Sequence, residues 1–401
     1  MLVGGCAGTE AAPRPSIAAP ATTAAPGMTA LASTEQTSPR GTDPPTTPTP
    51  RLPSVSVEHL GELTEANPAV GGNPGRDIGI SVALADGRYL WVFGDTIHDD
   101  QTLSNSAGFG SAGSNEIHDW ADGNGQLAQF IPYTPEEEAF NRAHKSDGSR
   151  WVLWPDAVAA VDGGKRVLIF FERSITNLQP GAGSTTGATG KPTIGMAEWS
   201  LAAASKGAIQ ARRVNDETFK GANLNAAYLD SSGSTLWLLS CSQKGRCQTA
   251  KVGVDDAWDG TKWTWWTGRG YSTDVRAGTP LAFPDPESTF LGRTYADGSP
   301  YVAAPFVGGN IAYYASKGLY LLAFTALPGY ADYGYLRASH SPIGPWGPPL
   351  RFDLPACDEP NCYAVTVHPE LSRGAGTVGI SYHRDPVNHT ALVDISTIQA
   401  G

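Results

Sequence analysis

Only three of the 401 residues are methionine and only five are cysteine. Charge is sparse at 17%, and few residues stand at the acid–base spacings of exposed helices, which argues against a coiled coil or a helical solenoid. Basic residues are outnumbered: 28 Lys+Arg against 39 Asp+Glu give a net charge of −11. A nucleic-acid binder needs a basic footprint to displace counterions from phosphate, so that class is excluded. No apolar run reaches the roughly 18 residues of a membrane-crossing helix. What the chain does have is 47 Gly, 31 Pro and 11 Trp among short apolar runs. That is the profile of an all-β protein with one large domain.

The first residues are Met1-Leu2-Val3-Gly4-Gly5-Cys6. Small residues ahead of a cysteine resemble a lipobox, where a bacterial signal peptide is cut and the cysteine acylated. Residues 1–6 are therefore expected to be a lipobox-like remnant of a signal peptide, with Cys6 as the lipidation site; the alternative is an ordinary N-terminal cysteine. Residues 7–53 are almost entirely Ala, Thr, Pro, Ser and Gly. Such a segment buries too little apolar surface to offset its ordering entropy, and its prolines favour polyproline II. It is expected to be a disordered tether for a domain at 54–401. Four further cysteines form two close pairs, Cys241 with Cys247 and Cys357 with Cys362. Each pair reads as a disulfide closing a tight turn in an oxidising compartment; the spacings are loose for a four-cysteine zinc site. The expected location is extracytoplasmic, either as a lipoprotein held to a membrane only through Cys6 or as a secreted protein.

Strand signals recur as hairpins. Residues 78–84 lead into the turn Asp86-Gly87 and return as 89–94. The same pattern joins 156–161 to 167–171, 225–229 to 236–239, 311–314 to 319–324, and 365–371 to 378–382, with turn residues between. Five hairpins that begin near residues 77, 156, 223, 310 and 366, each followed by outer-strand candidates, predict a five-bladed β-propeller behind the tether. Radial repetition also protects strand edges. The rival architectures are a long jelly roll or two sandwiches. Trp263, Trp265 and Trp266 read as an outer strand packed between blades rather than a sugar platform.

In a propeller, the first strand of each blade starts at one face near the axis and the second returns to it. Residues at those places share a central pocket. Asp77 and Asp95 occupy them in the first hairpin, Asp156 in the second, Asn225 in the third, Tyr314 in the fourth, and His368 and Glu370 in the fifth. With Asp86-Gly87 at the turn centre, Asp77 falls opposite Thr96 or its neighbour Asp95. A bulge or a three-residue turn would set the two acids directly across from each other, with Cβ atoms about 4.5–5.5 Å apart. That is close to the carboxyl separation of about 5–5.5 Å in a retaining glycosidase. Like charges so near raise one pKa, as a general acid requires. Single acids at strand starts more often cap turns; several converging on one axis favour a site, because unpaired buried carboxylates are costly.

These residues carry a resemblance. Arg76-Asp77-Ile78-Gly79, then Trp91-Val92-Phe93-Gly94-Asp95-Thr96 and Asn105-Ser106, resemble a bacterial five-bladed propeller family long labelled only as a domain of unknown function. Val367-His368-Pro369-Glu370-Leu371 with Ile380-Ser381-Tyr382 behind it resembles the fifth-blade pattern of that family. Its members include endo-D-arabinanases that cut the D-arabinan of mycobacterial arabinogalactan and lipoarabinomannan. The resemblance covers roughly residues 60 to 400. It implies hydrolysis of α-D-arabinofuranosyl linkages with retention, and the family's paired aspartates match Asp77 and Asp95. Asp156 matches broader furanosidase propellers.

The expected function is thus a glycoside hydrolase acting on a furanose polymer. Asp77 and Asp95 would be nucleophile and acid/base in an order left open, with Asp156, Asn225, Tyr314, His368 and Glu370 on sugar hydroxyls. The alternatives are a glycosidase for L-arabinan or fructan, and a non-catalytic propeller that binds glycan or a protein partner. The expected partner is a polysaccharide, met by a monomer. The chemistry requires no cofactor, and no ligand spacing specifies a structural calcium on the axis.

Overall fold

A computed structural model describes residues 55–395 apart from 122–123, 178–191, 221–223, 242–245, 282–309, 315–316, 326–330, 359–361, 375 and 385–386. Cys6, the lipobox-like residues 1–6 and the expected tether at 7–53 lie outside the described residues.

Alternating β-branched and aromatic residues, broken by Gly- and Asp-containing turns, build an all-β fold with, among the described residues, five large sheets and one small one. The first sheet contains Gly79–Ala83, Tyr89–Phe93, Ser106–Gly110 and Glu116–Asp119, with Thr64–Glu65 added in parallel at its edge. The second contains Ser149–Val161, Arg166–Asn177, Thr193–Ser200 and Arg212–Lys220. The third runs Ala226–Leu229, Thr235–Cys241, Cys247–Gly253, Thr264–Trp266 and Tyr271–Ser272. The fourth runs Asn310–Tyr314, Leu319–Phe324, Tyr333–Ser339 and Leu350–Asp353. The fifth holds Cys362–His368, Thr377–Arg384 and Val387–Asp394. Its outermost strand comes from the other end of the domain: Val57–Glu62 pairs with Val387–Asp394. The small sheet joins Gly75–Arg76, Thr96–His98 and Gln101–Leu103.

The first strand of each sheet lies beside the first strand of the next, and that of the fifth returns to Gly79–Ala83. The core follows from this order and from the two-residue period of a strand. Val167, Ile169 and Phe171 pack with Ile80, Leu90 and Val92 of the first sheet. The intervening Leu168 and Phe170 pack with Leu236, Leu238, Trp263 and Trp265 of the third. Similar clusters join the third sheet to the fourth through Leu239, Phe324 and Trp346, and the fourth to the fifth through Leu321, Leu336, Val365 and Ile380. Trp91 and Phe93 meet Leu371 between the first and fifth. Full burial of each such side chain stabilises by about 1.5–3 kcal/mol. Trp263 and Trp265 belong to this packing, as the sequence predicted for an outer strand.

Gly164 closes the gap between two hairpin turns. Its φ is +83°, its carbonyl accepts from Ala85 N at 3.1 Å, and an added Cβ would sit 2.7 Å from that nitrogen. Both expected disulfides are present, Cys241–Cys247 and Cys357–Cys362. The first joins residues directly paired across a hairpin. Among the described residues no helix is long and apolar enough to cross a membrane.

Two strands start earlier than the sequence predicted. The second sheet begins at Ser149 rather than 156 because Asp156 sits within a longer strand, at a bulge. The fifth begins at Cys362 rather than 365, ahead of another irregularity between Tyr363 and Thr366.

Candidate active site

The pairs Gly75–Ile97, Arg76–Thr96 and Gly79–Phe93 share one register, which puts Asp77 directly across from Asp95. Asp77 N donates to Asp95 O at 2.8 Å, and Gly94 N donates to Asp77 O at 2.7 Å. Between the two ladders Ile78 adopts φ 51°, a strained conformation for a β-branched residue. The direct opposition that the sequence allowed through a bulge or a three-residue turn is therefore present, and the turn supplies it: Leu84 N donates to Arg88 O, leaving three residues centred on Asp86 and one register from there to Asp77.

The two carboxylates have different surroundings. Asp95 Oδ1 accepts from Arg150 Nη2 at 2.9 Å and from Trp154 Nε1 at 2.9 Å. Asp77 has no cation among the described residues. Burial and the nearby Asp95 charge push its carboxyl up to about 7, against smaller opposing pulls from the Tyr363 hydroxyl and the Ile78 backbone. Its buried Oδ1 has no hydrogen-bond partner among the described residues. Asp77 is thus disposed to hold a proton, while Asp95 is held by a cation and an indole N–H.

Three first strands carry a backbone irregularity beside this pair. Ile78 follows Asp77; Ala364, at φ 57°, follows Tyr363; and Asp156 is the extra residue of a bulge between Pro155 and Ala157. Such kinks re-aim side chains away from the plain strand alternation. Tyr363 lies edge-on to His383, ring centroids 4.9 Å apart. His383 Nδ1 is 3.2 Å from Asn388 Oδ1, and Asn388 Nδ2 donates to Ile78 O at 3.4 Å. Asp156 is pushed well above the usual carboxylate range by burial and by the charge of Glu172. Glu172 pairs with Trp154, so the two share one face of the sheet. Burial raises its carboxyl too, while Ser174 Oγ donates to it at 2.8 Å.

Of the remaining candidates, Asn225 is at the same end of its strand but is buried, and its Oδ1 accepts from Cys241 N at 2.7 Å. Tyr314 lies at the hairpin end, packed against the core between the fourth and fifth sheets. His368 and Glu370 also lie away from the acid pair. Tyr363, at the start of their strand, is level with Asp77, whereas His368 Nδ1 is 2.6 Å from Ser81 Oγ, four residues further along. Four residues of strand span about 13 Å. His368 stacks on Trp91 at 4.3 Å and reaches Ser381 Oγ at 2.7 Å through Nε2. Glu370 Oε1 accepts from Ser81 and lies 3.3 Å from His368 Nδ1.

The sequence reading missed Arg150, Trp154, Glu172 and Tyr363. Arg150, Trp154 and Glu172 stand on two paired strands of the second sheet. A strand extended back from Asp156 would have brought in Arg150 and Trp154; nothing local marked Tyr363. Among the described residues no three His, Cys, Asp or Glu side chains gather in a way that could hold a metal ion.

No curated protein sequence matches this chain. Among solved structures, the chain is similar to a protein of inferred hydrolase activity from Bacteroides ovatus, with 14% identity over 80% of this chain and 85% of that one and a TM-score of 0.54. It is also similar to a GH43_1 enzyme from Xanthomonas citri, at 12% identity over 84% and 90% of the two chains, TM-score 0.48. A third is a GH43 β-xylosidase/α-arabinofuranosidase from a compost microbial metagenome, at 12% identity over 86% and 94%, TM-score 0.48. Residues 69–396, which hold the acid pair and all five first strands, match one family throughout, and the chain belongs to that family, DUF5005, a domain of unknown function.

Proposed function

We propose that this protein is a glycoside hydrolase that cleaves furanosidic linkages of a cell-wall polysaccharide, endo-acting on α-D-arabinan, from a five-bladed propeller. The observation that carries the reading is the opposed pair of aspartates in unlike surroundings. Asp95, held by Arg150 and Trp154, attacks the anomeric carbon. Asp77 gives its proton to the departing glycosidic oxygen as that bond breaks. In the second half Asp77 takes a proton from water, whose oxygen displaces Asp95 and leaves the anomeric configuration unchanged. Asp156, Glu172 and Tyr363 hold sugar hydroxyls beside the pair. The two disulfides support an extracytoplasmic setting, with Cys6 as a lipid anchor for a mature tethered enzyme.

The test is product analysis of the full chain on mycobacterial arabinogalactan, beside Asp77→Asn and Asp95→Asn. Arabino-oligosaccharides released by the parent and absent with both variants are the expected result. No release from D-arabinan, L-arabinan or fructan by a protein with a native circular dichroism spectrum overturns the enzyme reading in favour of a glycan-binding propeller.

A further inference from the structure

At the other ends of the first strands from the acid pair lies a cavity of about 320 Å³. Ser81, Tyr89, Tyr228, Tyr313 and Glu370 line it, and Val, Ala, Leu, Ile and Pro residues complete its wall. The volume is at the lower end of the range for small-molecule sites. Its charge is one-sided. The Glu370 side chain is 2% exposed, and its one ionic neighbour among the described residues is His368. No Lys or Arg lines the cavity. A carboxylate buried without a full cationic partner is costly unless something supplies one.

The rest of the lining fits that need. Tyr313 is 42% exposed, unusual for a large ring. It packs on Tyr320 at 4.9 Å between centroids, and Tyr320 meets Tyr228 edge-on at 5.0 Å. This makes an aromatic wall in the same cavity as a carboxyl group held by Ser81. Ring faces attract an organic cation, most strongly where water is excluded. An anionic ligand would meet Glu370 with no Lys or Arg in the lining to hold it.

We propose that this cavity is a second ligand site, separate from the acid pair, which binds an organic ammonium group carried by an amino sugar or an alkylammonium, with its charge on Glu370 and its C–H faces on Tyr89, Tyr228 and Tyr313. The site does not depend on the glycosidase reading. It is tested by calorimetric titration of the full chain with glucosamine, glucose and tetramethylammonium at mildly acid pH, where the amine is charged. At least one of the two cations should bind about tenfold or more tightly than glucose. That binding should persist in Asp77→Asn, fall about tenfold in Glu370→Gln, and fall a few-fold in Tyr313→Ala. Preference for glucosamine identifies the amino-sugar arm, and preference for tetramethylammonium the alkylammonium arm. Equal binding of glucose and both cations overturns the proposal. So does binding that survives Glu370→Gln, binding that is lost in Asp77→Asn, or no cation binding up to about 50 mM.

Discussion

Asp77 ties stability to protonation in a way that can be measured without any substrate. Its carboxyl titrates near 3.8 in an unfolded chain and near 7 in the fold. Between those values the native state keeps a proton that the unfolded state has released. Raising the pH through that window therefore destabilises the protein, and the loss is complete above about 7. Asp77→Asn should raise the melting temperature at pH 8, leave it nearly unchanged at pH 4, and abolish turnover. Melts at the two pH values check the first part; a variant less stable than the parent at pH 8 would contradict it. If Asp77 is the proton donor, as proposed, activity of the parent should fall as pH rises through about 7. Arg150 offers a second test, because its guanidinium is the cation on Asp95. Arg150→Met should lower kcat/KM on arabinan about a hundredfold while the circular dichroism spectrum stays native.

Among the strands and turns, what could be read from the sequence was what depends on neighbours in the chain. The Asp86-Gly87 and Asp162-Gly163-Gly164 turns, with alternating apolar residues on both sides, specify hairpins by local chemistry, and the hairpins are there. The Asp77–Asp95 pair was legible for the same reason, since both acids belong to one hairpin. The unread parts are set by contact between sheets. Arg150 and Trp154 reach Asp95 from another sheet, and Tyr363 reaches Asp77 from a third. His368 and Glu370 were read without regard to strand direction: they end their strand, so they face the far mouth, where Tyr363 begins it at the near one. Left-handed Ile78 and Ala364 carry no signature in residue type, since neither is the glycine or asparagine that such a φ favours. At this scale Gly164→Val is predicted to destabilise by about 1–3 kcal/mol, because its Cβ must displace the backbone at Ala85. Denaturant unfolding would show it as a lower midpoint with an unchanged slope.

Across the whole molecule, the element that joins the two ends of the domain is Val57–Glu62, which completes the fifth sheet beside Val387–Asp394. A chain that starts at Leu63 should melt at a markedly lower temperature and aggregate through the bared edge of Val387–Asp394. One that starts at Ser54 should melt with the parent; calorimetry of the two truncations separates the strand from what precedes it. The same pairing also governs timing. Val57–Glu62 leaves the ribosome before any other strand of the domain and its partner leaves last, so the outer edge waits through nearly the whole of synthesis for its match. A premature stop anywhere before residue 387 leaves Val57–Glu62 without the strand it pairs with.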